Sequence, residues 1–183
     1  MKFKPSYTSS IAEDIMAERL IRAQAVEFLA DAPMRLKSGL ISPVYVDNRK
    51  LFSHPEAWRD IVETMASRVE EYDLEFDIVA GVEAAGSMHA AALAYRLGLP
   101  AIMVRQKAKT YGNHSRIEGG DVKGLRVLLL EDHISTGLSC LDAIRALREE
   151  GAQVTQVMSI TNYAIPETQR LFKQEGIDTY DVI

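Results

Sequence analysis

Between Phe76 and Ile160 four short apolar runs, FDIVAGV, PAIMVR, RVLLLED and QVTQVMSI, punctuate the chain. The first and second are separated by AAGSMHAAALAYRLGL, and the third and fourth by LSCLDAIRALREEGA, both with helical spacing of apolar residues and the latter closed by Gly151. Runs that are apolar without alternation are buried on both faces, and that burial demands helices above and below a mostly parallel sheet. The fold class is therefore α/β, a mostly parallel central sheet with helices on both faces. A length of 183 residues with 47% hydrophobic content fits one domain spanning 1–183.

The flanking segments read differently. From Ser9 to Ala30 the apolar residues Ile11, Ile15, Leu20, Ile21, Val26 and Leu29 fall roughly on one face, which predicts a single amphipathic helix. The stretch RLKSGLISPVYVDNRKL is interrupted by Gly39 and Pro43 and predicts two short strands and a loop. Residues 1–50 are thus expected to form a small N-terminal hood. From Pro55 onward, Trp58, Ile61, Val62, Met65 and Val69 predict a second helix. The longest stretch without a regular pattern is Gln106 to Gly124, and patternless segments of that length inside a compact domain tend to be functional. It carries the cations Lys107, Lys109, Arg116 and Lys123, with Gly112, Gly119 and Gly120 permitting movement, so 106–124 reads as a mobile lid loop.

Composition excludes several classes. No apolar window of membrane-spanning length occurs, and the opening MKFKPSYTSS lacks the apolar stretch of a signal peptide, so no membrane association and a cytoplasmic location are expected. The one cysteine, Cys140, offers neither a disulfide nor a metal-ligand pair and reads as a packed side chain. No histidine pair has zinc spacing; His89 and His133 read as structural or surface residues and His54 as a loop residue. A net charge of −5 argues against a nucleic-acid partner.

Chemistry concentrates in LLLEDHISTGLS, Leu128 to Ser139. A buried strand ends there and a helix begins, which places the segment at the carboxyl edge of a parallel sheet, where such folds bind ligands. Ser135, Thr136, Gly137 and Ser139 supply hydroxyls and close backbone approach beside unpaired helix amides, a cradle for phosphate. Glu131 and Asp132 would repel phosphate unless they accept hydrogen bonds from hydroxyls or hold a divalent cation. A sugar phosphate has both groups. The lysine of a triphosphate-binding loop and the glycine spacing of a dinucleotide turn are both missing.

VLLLEDHISTGLS resembles the signature of type I phosphoribosyltransferases, in which two acids and a hydroxyl-rich loop bind the ribose and 5-phosphate of phosphoribosyl pyrophosphate. MRLKSGLISPVYVDNR, VAGVEAAGSMHAAALAYRLGLP, VRQKAKTYG and RIEGGDVKG follow in the order and spacing of orotate phosphoribosyltransferases, so the resemblance covers Ala23 to Phe172. It implies transfer of phosphoribosyl to orotate with Mg²⁺, giving orotidine 5′-monophosphate and pyrophosphate in pyrimidine biosynthesis, by a homodimer with shared active sites. Lys37 would contact pyrophosphate or orotate, and Tyr45 and Val46 would lie against the base. Gly81, Glu83, Ala84, Ala85 and Gly86 would form the turn that holds pyrophosphate through backbone amides. Arg105, Lys107 and Lys109 would neutralise the leaving group, with Lys109 reaching into the neighbouring subunit's site. Glu131 and Asp132 would hold the ribose, and Ser135, Thr136, Gly137, Leu138 and Ser139 its phosphate; no residue is assigned as a metal ligand. The chain departs from the family at Gln106, where a second lysine is common, at Tyr111, where a histidine is common, and at His133, where many relatives are apolar. Asn162 and Tyr163 stand where some members carry an arginine for orotate's carboxylate. Two other readings share the motif: transfer to another nucleobase, and a non-catalytic regulatory relative that binds the same sugar diphosphate.

Overall fold

A computed structural model describes residues 11–35, 39, 41–108 and 115–183. Helix α1 (Ile11–Arg22) is shorter than the single helix the periodicity predicts. Ala25 donates back to the Leu20 carbonyl, Gln24 adopts a positive φ of 54°, and the chain turns into strand β1 (Val26–Phe28). β1 pairs antiparallel with β4 (Val44–Val46), Val26 opposite Val46. β-Branched and aromatic residues gain more from that pairing than from another turn of helix. Between them β2 (Met34–Arg35) and β3 (Ile41–Ser42) form a second antiparallel pair, so the described residues of the hood carry four strands where the sequence suggests two. A 3₁₀ helix, Asn48–Ser53, leads to α2 (Pro55–Glu71).

The central sheet has six strands. β5 (Ile78–Val82), β6 (Ala101–Val104), β7 (Ile117–Glu118), β8 (Arg126–Ile134), β9 (Gln153–Asn162) and β10 (Asp178–Asp181) lie in the order β10-β9-β8-β5-β6-β7. All neighbours are parallel except β7, which runs antiparallel to β6 with Val104 opposite Ile117. Part of the segment read as a patternless lid is therefore an edge strand, with Ile117 buried. Strand pairs of two residues carry too little periodicity to be seen in a sequence. α3 (Ala85–Leu97), α4 (Leu138–Glu149) and α5 (Pro166–Gln174) make the connections.

Side-chain alternation along the strands divides the interior into two cores. Val127 and Leu129 of β8 face the layer of α4 and α5, while Leu128 and Leu130 face that of α1, α2 and α3. Leu128, Leu129 and Leu130 are fully buried. Each stabilises the fold by roughly 2 kcal/mol through loss of apolar surface from water. This double burial is what an unbroken apolar run encodes. Among the described residues no helix is long and apolar enough to cross a membrane.

Candidate active site

β5 and β8 are neighbours, Gly81 opposite Leu130, and each passes within a few residues into a helix. The first turns of α3 and α4 therefore present unpaired amides and the positive ends of two helix dipoles along one carboxyl edge. Gly137 caps α4 with φ 71°. A Cβ there would lie 2.9 Å from the Phe172 ring and 2.9 Å from the Thr168 methyl, so position and conformation both require glycine. α5 buttresses the same turn: the Thr168 hydroxyl donates to the Ser135 carbonyl at 2.9 Å. Ser135 and Thr136 are half-buried in the turn, whereas Leu138 and Ser139 are exposed on the first turn of α4.

The stretch from Gly81 to Gly86 is less of a loop than its sequence implies. Gly81 sits inside β5, and the Glu83 amide is bonded to the Val104 carbonyl at 2.9 Å. Only Glu83 and Ala84 form the turn, and Ala85 and Gly86 already belong to α3. Gly81 is needed because a Cβ would run into the Ser87 Cα, and Gly86 because one would meet the Leu130 carbonyl oxygen at 2.7 Å. These glycines let α3 start directly against β5 and β8. The amides left to face a ligand are those of the first turn of α3.

Glu131 and Asp132 are adjacent on a strand and so face opposite sides. Glu131 lines a small cleft with Ser135, Thr136, Gly137, Leu138 and Ser139. Its Oε2 is buried without a hydrogen-bond partner among the described residues, and burial, reinforced by the negative charge of Asp132, pushes its carboxyl well above the usual range. Burial also raises Asp132, against the opposing effects of the His133 and Asp132 amides and of Arg49 on the hood side. Two acids in a desolvated place, with Arg49 acting on Asp132 alone of the two, are poised for a cation or for hydroxyl donors.

Sequence reasoning missed the polar network behind them. Asn48 is fully buried, and its amide donates to the Asp132 carbonyl at 2.6 Å and to the Thr161 hydroxyl at 2.8 Å. The same hydroxyl lies 2.9 Å from His133 Nδ1. The imidazole stands edge-on to Tyr163 with centroids 4.3 Å apart, and the Tyr163 hydroxyl donates to the Val44 carbonyl at 2.7 Å. This chain of bonds ties the hood to the ends of β8 and β9. Burial lowers His133 to about 4, so its ring is neutral at pH 7. The signal available beforehand was a histidine directly after the acid pair at the end of the strand.

Tyr45 and Val46 line a cavity of about 340 Å³ with Met34, Arg35, His133, Ser135 and Tyr163. Ser135 and His133 line both this cavity and the cleft at the turn, so the two lie side by side. Arg105 is half-buried at the end of β6, with Nη1 3.0 Å from Glu118 and Nε 3.9 Å from Glu83. Arg116 fastens this edge by donating to the Arg105 carbonyl at 2.7 Å and pairing with Asp142 of α4 at 2.5 Å. Lys107 is exposed nearby. Lys37 and Lys109 lie outside the described residues. A larger cavity of about 580 Å³, lined by Arg19, Arg22 and Arg59 beside the start of α2, contains none of these residues; Arg19 and Arg22 there are paired with Asp60 and Glu18.

A parallel sheet whose carboxyl edge carries an acid pair, a glycine-capped hydroxyl turn and a hooded cavity has the make-up of a phosphoribosyl transferase domain, and the model of that family matches residues 47–177. Within it, the chain belongs to the orotate phosphoribosyltransferase family. An orotate phosphoribosyltransferase of Coxiella burnetii is 45% identical over 165 residues, covering 90% of this chain and 79% of the relative. The crystal structure of orotate phosphoribosyltransferase from Aeropyrum pernix superimposes with a TM-score of 0.80 at 28% identity, over 91% of this chain and 92% of that one. The Mycobacterium tuberculosis enzyme in complex with 5-phospho-α-D-ribosyl 1-diphosphate matches with a TM-score of 0.72 at 26% identity, over 93% and 94% of the two chains.

Proposed function

We propose that the chain catalyses transfer of the phosphoribosyl group from phosphoribosyl pyrophosphate to orotate, releasing pyrophosphate and forming orotidine 5′-monophosphate. The observation that carries this reading is the joining of the Glu131–Asp132 pair to the Gly137-capped turn, with a hooded cavity opening beside Ser135. The amides and hydroxyls of Ser135 to Ser139 bind the 5-phosphate, and the two carboxylates bind the ribose hydroxyls. The base lies between Tyr45, Val46 and the strand ends. The unpaired amides at the start of α3 hold the diphosphate, and Arg105, Lys107 and Lys109 offset its charge as the bond to the anomeric carbon breaks. Preorganised donors of this kind stabilise the leaving group without reorganising at the moment of reaction.

The donor set fits Mg²⁺. Among the described residues no group of three or more His, Cys, Asp or Glu side chains could hold a metal ion. Mg²⁺ needs no such cage, because it is commonly held by one or two carboxylates together with substrate phosphates, and the unpartnered Glu131 Oε2 is a ready ligand. Bound there with the diphosphate, it would neutralise charge developing on the leaving group. A homodimer with Lys109 supplied across the interface is part of the proposal. Met88 and Tyr95, seven residues apart on α3 and 46% and 91% exposed, offer an apolar face for such a contact.

Turnover of a panel of bases with phosphoribosyl pyrophosphate and Mg²⁺ tests the assignment. Orotate is expected to be the preferred acceptor. Activity confined to a purine or to uracil would overturn it, and binding of the sugar diphosphate without turnover of any base would favour a regulatory role.

A further inference from the structure

We infer that Arg35 is the counter-ion for the carboxylate of the acceptor base and so sets the enzyme's preference for an anionic pyrimidine; the inference rests on the orotate reading above. The cavity that joins the turn to the hood is lined by Met34, Arg35, Tyr45, Val46, His133, Ser135 and Tyr163. A base linked to a ribose phosphate at the turn must enter a space next to it, and Ser135 and His133 line both that space and the turn. An acceptor with a carboxylate brings a full negative charge into walls that are otherwise aromatic and aliphatic. That charge needs a partner once water is displaced.

Among the described residues that line the cavity, Arg35 carries the one formal charge. His133 is neutral, since burial lowers it to about 4. The Tyr163 hydroxyl is committed to the Val44 carbonyl. Asn162, at the end of β9, donates its amide to Asp181. Arg49 approaches the Tyr45 hydroxyl at 3.5 Å, but its guanidinium is already held by both oxygens of Asp47 at 2.6 and 2.9 Å. Arg35 has no ion pair or hydrogen bond of its side chain among the described residues. It sits on β2, a two-residue strand paired with Ile41–Ser42, and is one of the residues that line the cavity. A planar guanidinium matches a carboxylate with two parallel hydrogen bonds, which a point charge cannot do.

Steady-state kinetics on the full chain test this with wild type, Arg35→Ala and Arg35→Lys, using orotate and its uncharged carboxamide as acceptors. Arg35→Ala is expected to raise KM for orotate about tenfold or more, as loss of a charge-assisted pair does. KM for phosphoribosyl pyrophosphate should stay within about twofold, which reports an intact fold and turn, and discrimination against the carboxamide should fall by the factor lost on orotate. Arg35→Lys should recover part of the loss. Wild-type turnover of orotate combined with an unchanged orotate KM in Arg35→Ala overturns the assignment of Arg35 alone. Failure of the wild type to use orotate overturns the function and this inference together.

Discussion

Replacing Gly137 by alanine tests the construction of the phosphate turn. Two penalties add at this position. The backbone sits at φ 71°, where a Cβ costs about 1–2 kcal/mol. The new methyl would also lie 2.9 Å from both Phe172 and Thr168, which are 2% and 3% exposed and have no space to retreat. Overpacking of that kind adds about 1–3 kcal/mol. A central value of about 3 kcal/mol lowers the melting temperature of a domain this size by roughly 6–12 °C. Gly124→Ala is the internal control, because its φ is 77° but nothing lies within 4 Å of the added methyl. It should show the backbone penalty alone. Thermal unfolding followed by circular dichroism, with binding of phosphoribosyl pyrophosphate measured on the same samples below the transition, separates the two. Gly137→Ala should be less stable than Gly124→Ala by about 1–3 kcal/mol and should bind the sugar diphosphate at least about tenfold more weakly. Equal destabilisation by the two variants, or unimpaired binding by Gly137→Ala, would refute the packing argument.

Other outcomes follow from the buried polar groups. Because burial raises the Glu131 carboxyl, a cation that displaces its proton when substrate and Mg²⁺ bind should make the calorimetric enthalpy depend on the ionisation enthalpy of the buffer, and Glu131→Gln should abolish that dependence. Trp58 donates to His89 Nδ1 at 3.1 Å, so the neutral ring carries its proton on Nε2, and burial lowers His89 to about 4. Because the folded state binds this proton less readily than the unfolded chain, the histidine's contribution to stability is complete above pH 6.5 and is lost as pH falls toward 4. A drop from 6.5 to about 4 corresponds to ~3 kcal/mol, so denaturant titrations of His89→Gln should show a shallower loss over that interval than wild type. Asn48→Ala leaves the buried Asp132 carbonyl and Thr161 hydroxyl short of a donor and should cost about 2–3 kcal/mol in the same titration.

The parts of the molecule legible from sequence are those set by local, strongly periodic patterns. Leu128 to Leu130 read as a doubly buried strand because burial on both faces removes every polar residue, and β8 is that strand. The helices from Pro55 and after Gly137 were equally plain from apolar spacing. The region after Arg22 was not, since Val26 and Phe28 suit either a helix face or a strand, and only pairing with Val44–Val46 decides. Strands of two residues, such as Ile117–Glu118, leave no period to detect. At the site, the acids and the hydroxyl turn stand together in the chain and could be found together. Asn48, Arg35 and the Thr161–Tyr163 strand end come from three other places in the sequence, and their convergence on His133 and the hood exists only after folding.

A crystal soaked with phosphoribosyl pyrophosphate, Mg²⁺ and orotate would locate all three ligands together. The 5-phosphate is expected on the amides and hydroxyls of Ser135 to Ser139, the ribose hydroxyls within hydrogen-bond reach of Glu131 and Asp132, and the base beside Tyr45 and Val46. Density for the sugar diphosphate elsewhere, for instance among Arg19, Arg22 and Arg59 beside α2, with the turn left bare, would contradict it.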